Sequence, residues 1–368
     1  MTTEQVLVVG GRGRVGRGVV ADLLAHTQAQ VTITGRGLEL ERDLHSYPAD
    51  RVRFLMLDLT EQEKLQAAIA SQNLVVHCAG PFRYRDVGVL RNCIDQGVNY
   101  LDVSDDRDFT HNALSYREAA QSAGITAVIN TGVFPGISNS MVLQGVEQLD
   151  QPTEIYLNYV VAGSGGAAVT ALQTTFLSLQ HPFKVWLKGR WEEVKPYTGR
   201  EVVDFPAPFG RAGVYWFDLP ESLTLAEGFP VQTVAVKFGS TPDLYNHLTR
   251  MVAQWFPGAL LKSPTFVKGL SHISYSMTSV TDRFSGTGIA IRAEVWGQKD
   301  GKSVRHVSTF SYPDAAQATG LGAGSIAQFI LSGQLVKPGV WSVEQSLPTP
   351  LFQQAMQQRH LTIQQQWL

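Results

Sequence analysis

The most constraining stretch of the sequence lies near its start, VLVVGGRGRVGRGVV. Four apolar residues, Val6 to Val9, read as a buried strand. They run straight into a turn where Gly11, Gly13 and Gly16 spell G-x-G-x-x-G, and a helical pattern begins near Arg14. A chain that leaves a strand, turns on glycine and enters a helix is the opening of a βαβ unit. The first glycine permits the tight turn, the second lets a pyrophosphate approach the backbone, and the third lets helix and strand pack closely. The helix N-terminus directs N–H groups and partial positive charge at the phosphates. Arg12 and Arg14 add full charges there, and Val15 stands inside the same loop.

The following sequence keeps that rhythm. Strand-like runs at Val31–Thr34, Val52–Leu57, Leu74–His77, Tyr100–Val103 and Thr126–Ile129 alternate with helical segments through about Pro135. Such alternation specifies α/β: a doubly wound parallel sheet of the Rossmann type, with ligands at the carboxyl ends of its strands. From 136 to 314 the texture changes to period-two stretches such as Glu154–Val161 and Thr233–Phe238. Ile273–Asp282, Ile289–Trp296 and Ser303–Tyr312 read as consecutive antiparallel strands, the last two joined at Asp300-Gly301. The reading is therefore a dinucleotide-binding domain over 1–135 and a mixed-sheet α+β substrate or dimerisation domain over 136–314.

The ends of the early strands carry the next signals. Where an NAD enzyme usually ends its second strand in a carboxylate that accepts from the ribose 2′-hydroxyl, this chain has Gly35-Arg36. Arginine holds a 2′-phosphate by a bidentate, charge-assisted bond, so the expected cofactor is NADP(H). Glu39 and Glu41 follow closely enough to soften that preference. Asp58 ends the third strand, either beside the adenine amino group or capping the next helix. The fourth strand ends in Cys78-Ala79-Gly80-Pro81-Phe82, small residues that let the backbone approach the nicotinamide ribose, with Cys78 read as a packed small side chain. The loop Thr131–Asn139 reads as a hinge that could meet nicotinamide or substrate. Gly163-Ser164-Gly165-Gly166 is either a second anion-binding turn or a flexible connection.

Composition excludes several classes. Charged residues are 17% of the chain and the net charge is −2, so no basic nucleic-acid surface is expected. Two cysteines cannot build a disulfide framework, and no apolar run reaches membrane-spanning length, so a cytoplasmic protein with no membrane partner is expected. The nine histidines show no metal-ligand spacing, and no metal is expected.

The features GGRGRVG, TGR, HCAGPF, GVNYLDVSDD and GVFPGISN, in this order along roughly the first 140 residues, resemble the saccharopine dehydrogenase-like reductases. DFPAP, LPESLTL and ATGLGAGSIAQFILSGQLVKPGVWSVEQ resemble that group more loosely. The resemblance implies a Rossmann domain, an inserted mixed-sheet domain and a C-terminal segment, 315–368, that returns to the first domain; it also implies a homodimer. It implies hydride transfer that forms or cleaves a C–N bond, typically between an amino acid or polyamine and a carbonyl compound. By the same resemblance Gly11, Gly13, Arg14, Val15 and Gly16 stand in the phosphate loop, Arg36 and Asp58 at the adenosine end, and Ala79, Gly80 and Pro81 near the nicotinamide. Arginines that hold dicarboxylates elsewhere in the family have no matched counterpart here, which suits a bulkier or less charged small-molecule substrate.

Candidates for the proton chemistry are fewer, because an iminium is already electrophilic and the hydride comes from the cofactor. Asp102, at the end of the fifth strand in YLDVSDD, is the first candidate, to orient the substrate amine or its proton relay. Asp105 and Tyr215 follow it, with Ser104 and Asp105 also suited to capping the next helix. Two other readings stay open: an NADP(H)-binding redox sensor without catalysis, and a reductase of carbon–carbon double bonds.

Overall fold

The computed structural model describes residues 3–37, 47–166 and 169–368, so Glu39 and Glu41 lie outside the described residues. The chain forms two units, residues 1–137 with 316–355, and 138–315 with 356–368.

The first unit is built on seven parallel strands. In chain order they are β1 (Gln5–Val9), β2 (Gln30–Gly35), β3 (Val52–Met56), β4 (Leu74–His77), β5 (Asn99–Asp102), β6 (Thr126–Ile129) and, from the C-terminal part, β15 (Gly339–Ser342). They lie side by side as β15-β6-β5-β4-β1-β2-β3. The order reverses between β1 and β4, which is where such a sheet opens a crevice for a ligand. Strands covered on both faces must be apolar throughout, and Val6, Leu7, Val8, Leu74, Val75 and Val76 are all fully buried. One face packs Leu7, Val9, Val75, Tyr100, Ala127, Ile129 and Val340 against Leu65, Ile69, Leu90 and Phe109 from the covering helices. The glycine-rich helix Ala315–Leu331 lies across the Arg14–His26 helix at backbone distance: a Cβ on Gly320 would sit 2.4 Å from the Gly18 carbonyl carbon. That close crossing accounts for the small residues of ATGLGAGS.

The seventh strand was not visible in the sequence, because GVWS is a four-residue run with no alternation to mark it. It is fixed by pairing: Gly339 to Ser342 register against Thr126 to Ile129. The segment after it divides. Residues up to 355 stay with the first unit, whereas β16 (Gln364–Trp367) pairs with a strand of the second, so 356–368 do not return to the Rossmann sheet as the resemblance implied.

The second unit is a nine-stranded mixed sheet. Its strands are β7 (Gln151–Ala162), β8 (Phe183–Leu187), β9 (Arg190–Val194), β10 (Glu201–Phe205), β11 (Gly210–Trp216), β12 (Thr233–Thr241), β13 (Gly288–Lys299), β14 (Lys302–Tyr312) and β16. Seven of them lie in the order β10-β11-β12-β7-β13-β14-β16, with β8 joined to β12 and β9 to β8. Among the described residues of this sheet only β7 and β12 run parallel. The β13–β14 hairpin turns at Asp300 and Gly301, both with positive φ, as Asp-Gly requires.

Ile273–Asp282 is not a strand but part of the helix Pro264–Ser285. Its alternating small polar residues imitate period two, yet the start signals upstream decide the matter. Ser263 accepts from the Phe266 N–H, and Pro264 occupies the first turn, where its missing donor costs nothing. Within the helix Ser271 and Ser276 return their hydroxyls to the carbonyls of Val267 and His272.

Candidate functional site

The glycine turn is held by its own backbone. Gly11 N donates to Val8 O and Gly13 N to Gly10 O, while Gly10 N donates to the Thr34 hydroxyl of β2 at 3.1 Å. A Cβ on Gly16 would meet Gly10 O at 2.4 Å and Gly11 Cα at 2.6 Å, so only glycine lets the helix start this close to the strand. At Gly13 a Cβ would meet a single atom, Gly10 O at 3.3 Å, a tight contact but not a clash, and the residue is exposed. Gly13 is also the N-cap of the Arg14–His26 helix, and no side chain caps that end. These features fit a phosphate group: a backbone surface with no side chain over it, at the positive end of a helix.

Beside the loop stands a group of cations. The Arg12 side chain lies over Gly35, where a Cβ would come within 2.4 Å of its Cδ, and its Nη1 donates to Gly37 O at 3.4 Å. Arg36 is exposed at the end of β2. Asp58 accepts from both the N–H and the hydroxyl of Thr60, at 3.0 and 2.9 Å. Those bonds, with the charges of Arg36 and Arg85, hold its carboxyl below the usual range. Asp58 thus closes a turn ahead of the Gln62–Ile69 helix instead of capping it. Arg85, which the sequence reading did not single out, donates from Nε to Ala79 O at 2.8 Å. The signal was present in AGPFRYRD, where two arginines follow the strand-four loop: Arg83 pairs with Asp106 at 2.7 Å and Asp108 at 3.0 Å, while Arg85 carries the bond to Ala79 O.

At the ends of β4, β5 and β6 lies a buried polar cluster. Asp102 is fully buried, and its Oδ1 accepts from the N–H groups of Ser104 (3.0 Å) and Asn130 (2.9 Å). Its main-chain carbonyl accepts from the N–H and hydroxyl of Thr131 at 2.9 and 2.7 Å. Asn130 has a φ of 61°, a left-handed conformation that asparagine tolerates, and donates from Nδ2 to Ser104 O and to the Thr110 hydroxyl. Burial raises the Asp102 carboxyl to about 6 despite these bonds. His77 lies next to it, packed on Phe82 and Phe109, with Nδ1 3.2 Å from the Tyr100 hydroxyl. Burial pushes its imidazole down to about 3, so it is neutral at physiological pH. Burial and the Asp102 charge push the Cys78 thiol far up, which leaves it no thiolate with which to act as a nucleophile.

The helix after β5 is capped by Asp106, whose Oδ1 accepts from Phe109 N at 2.9 Å, and not by Ser104 or Asp105. Ser104 instead accepts from the Asp106 N–H, one step earlier in the same turn. Asp105 is half-buried between them. Tyr215 belongs to the second unit. It is buried in β11, stacked on Tyr197 with ring centroids 4.7 Å apart, and its hydroxyl accepts from Arg200 Nε at 3.1 Å. The second unit also holds a carboxylate that the sequence reading passed over: Glu221, fully buried, accepts from the Tyr159 hydroxyl at 2.5 Å and from Ser138 at 3.3 Å. Its apolar setting in LPESLTL was the available sign.

The Gly163–Gly166 turn has no N–H left for a ligand. Gly163 donates to Thr241 O, Ser164 to Asp282 Oδ1, Gly165 to Ala162 O and Gly166 to the Ser164 hydroxyl. The Asp314 carboxyl lies over Gly166, where a Cβ would meet it at 2.6 Å. Two acidic side chains at this turn argue against an anion site.

A strand, an uncapped glycine turn and a helix, opening an all-parallel sheet with Arg12 and Arg36 beside the end of β2, have the form of a dinucleotide-binding domain. Comparison with known proteins narrows the class. Residues 6–128 match the family model described as the saccharopine dehydrogenase NADP binding domain. The chain is 25% identical over 390 residues to the carboxynorspermidine synthase of Vibrio cholerae, covering 92% of this chain and 93% of that protein. It is 22% identical over 312 residues to the carboxyaminopropylagmatine dehydrogenase of a Synechocystis species, covering 76% of each. Its fold is similar to that of the apo saccharopine dehydrogenase (L-Glu forming) from Saccharomyces cerevisiae, with a TM-score of 0.71 at 14% identity, over 99% of this chain and 100% of that one. Residues 6–128 are thus an NADP-binding domain of the saccharopine dehydrogenase type, in a chain similar over most of its length to a synthase and a dehydrogenase that carry it. No helix among the described residues is long and apolar enough to cross a membrane.

Proposed function

We propose that this protein reduces a C=N bond formed between an amine and a carbonyl compound, with NADPH as reductant and a carboxylated polyamine as product class. The observation that carries the reading is the pairing of an arginine-rich adenosine end with similarity, along nearly the whole of both chains, to a carboxynorspermidine synthase. NADPH supplies the hydride when bound; the chain's own residues do the rest. Gly11, Gly13 and Gly16 with the helix N-terminus take the pyrophosphate, and Arg14 and Val15 line that turn. Arg12 and Arg36 face the 2′-phosphate, and Asp58 accepts from the adenine amino group. Cys78, Ala79, Gly80 and Pro81 present backbone and small side chains to the nicotinamide ribose.

Asp102 is a positioning residue in this scheme. One carboxylate oxygen is committed to two backbone N–H groups, so the side chain fixes the ends of β5 and β6. Asp105, on the same loop and less buried, is the better placed of the two to meet a substrate amine. Transfer of hydride to the imine carbon leaves the electron pair on nitrogen, which takes a proton from solvent or from that carboxyl group. Tyr215, with its hydroxyl taken by Arg200 and its ring stacked, serves the second sheet.

The test is NADPH consumption with amine and carbonyl partners offered singly and together, using diamines with amino-acid aldehydes or 2-oxo acids. Turnover that needs both partners and forms a secondary amine supports the reading. Turnover with a carbonyl compound alone, or NADPH binding with no turnover on any pair, overturns it.

A further inference from the structure

Single exposed apolar side chains are ordinary, but a cluster of them marks a surface that something covers. Of the sixteen large apolar side chains exposed among the described residues, seven fall between Leu244 and Val280, in the second unit. Two helices carry six of them, Leu244–Trp255 and Pro264–Ser285. These helices lie antiparallel: the Tyr245 and Thr281 hydroxyls are hydrogen-bonded to each other, and Phe256 packs on Phe266 with ring centroids 5.9 Å apart. Leu244, Met251 and Trp255 share one face of the first helix by their spacing, and Ile273, Met277 and Val280 share one face of the second. Trp255 is 77% exposed, Ile273 61% and Val280 63%. Asn246, Val267, Ser271 and Thr278, on the opposite faces, are buried. Both stripes therefore look outward, side by side.

The charge around the stripes has one sign. From Leu244 to Ser285 the chain has four Lys or Arg and one carboxylate, in a protein whose net charge is −2. Arg250, Lys262, Lys268 and Arg283 are all exposed. The carboxylate, Asp282, accepts from the Ser164 N–H and hydroxyl at 2.8 and 2.6 Å. Asp243, just ahead of the first helix, accepts from Asn246 Nδ2 at 2.8 Å and lies 3.6 Å from Arg200. The helix Val169–Leu177, which packs on Pro264–Ser285, has no charged residue. By helical phase Arg250, Lys268 and Arg283 flank the stripes. A second copy of this face would bring like charges together, and a nucleic acid would leave the aliphatic side chains without an apolar partner. An anionic bilayer surface satisfies both features. Aliphatic side chains enter the headgroup boundary, cations meet lipid phosphates, and tryptophan is the residue type enriched at that depth. We propose that this helix pair docks the protein reversibly on anionic lipid membranes. Such helices lie in the plane of the interface, so the short apolar runs that argued against a membrane partner do not bear on it.

The experiment is flotation of the full chain with phosphatidylcholine vesicles, with and without phosphatidylglycerol, at low and high salt. Wild type should float with the phosphatidylglycerol vesicles and be released as salt rises. Ile273→Ser combined with Val280→Ser removes apolar area and should weaken binding by about tenfold or more. Arg250→Gln, Lys268→Gln and Arg283→Gln should each weaken it by about fivefold, with urea midpoints close to wild type. Tryptophan emission should shift to the blue on binding, and Trp255→Phe should lose most of that shift; this variant decides the question if the double variant does not fold. No flotation with either vesicle overturns the proposal, as does flotation that the Ile273 and Val280 substitutions leave unchanged. A blue shift that persists in Trp255→Phe places the contact elsewhere and overturns it too. A soluble dimer that does not float, and that the double variant dissociates, would mean that a second copy covers the stripes. Binding to polyglutamate in preference to vesicles would assign the face to an acidic protein, and either result overturns membrane docking.

Discussion

The chain contains two glycine-rich turns that look alike as text and differ in what fills them. In GGRGRVG the loop is held from below by backbone bonds, and the helix it opens has no side-chain cap. In Gly163-Ser164-Gly165-Gly166 every N–H has a protein acceptor, and Asp282 and Asp314 sit over the turn. Glycine content is the same kind of signal in both. It says only that the backbone must approach something closely. In the first turn the approach leaves a surface for a ligand; in the second it accommodates the protein's own carboxylates.

The strongest way to break this contrast is at Gly16. A methyl group there would collide with backbone on two sides, and backbone cannot yield as a flexible side chain does. Gly16→Ala is expected to lower stability by about 1–3 kcal/mol through overpacking and to abolish measurable NADPH binding, checked by urea unfolding and cofactor titration. Normal binding in a stable Gly16→Ala protein would mean that the turn does not set the helix against the phosphate site.

A second test concerns groups that are enclosed in place of being left open. His77 is buried neutral and Asp102 is buried with a raised pKa, so their contributions to stability run in opposite directions with pH. The unfolded chain protonates His77 near its ordinary 6.5 while the native state resists until about 3. Stability from His77 is therefore present above 6.5 and is lost as pH falls. Asp102 binds its proton near 6 when folded and near 3.8 when unfolded, so its native state is favoured as pH falls through 6. Between about pH 7 and pH 5 the histidine costs about 2 kcal/mol and the aspartate returns about 1 kcal/mol. Wild type should thus change little over that interval from this pair. Asp102→Asn should expose the histidine's loss, and His77→Leu should leave a gain on acidification. Denaturant unfolding at both pH values checks the signs, and identical pH dependence in all three proteins would show that neither group is held as described.

How much of this was legible in the sequence follows the same division between local and distant causes. Strand, turn and helix at the N-terminus were readable because one short stretch contains the whole unit, and Arg36 was readable because it directly follows β2. Arg85 was not, since its bond back to Ala79 O depends on the three-residue turn Phe82–Tyr84 between them. β15 was hidden because only its pairing with β6 makes it a strand. The Pro264–Ser285 helix was misread as a strand where alternation of small polar and apolar residues outweighed a cap ten residues upstream. Asp102 was found by position, but its commitment to Ser104 and Asn130 depends on the left-handed turn after β6, which no spacing in YLDVSDD announces.

The smallest expected effects make the sharpest comparison, one substitution in each turn. Gly13 is exposed and its nearest obstacle is 3.3 Å away, so Gly13→Ala should fold normally, within about 1 kcal/mol of wild type. The added methyl stands where the pyrophosphate would approach, so NADPH should bind about tenfold more weakly. Asp282→Ala removes the acceptor of the Ser164 N–H and hydroxyl, which are 2.8 and 2.6 Å from it. It should cost about 1–3 kcal/mol by leaving buried donors unpaired, with NADPH affinity unchanged. Binding loss without instability in one turn, and instability without binding loss in the other, is the signature of an open turn and a filled one. If Asp282→Ala instead weakens NADPH, the second turn serves the cofactor after all. If Gly13→Ala leaves binding intact, the phosphates do not lie against the first turn, and Arg12 and Arg36 beside the end of β2 would have to hold the cofactor without it.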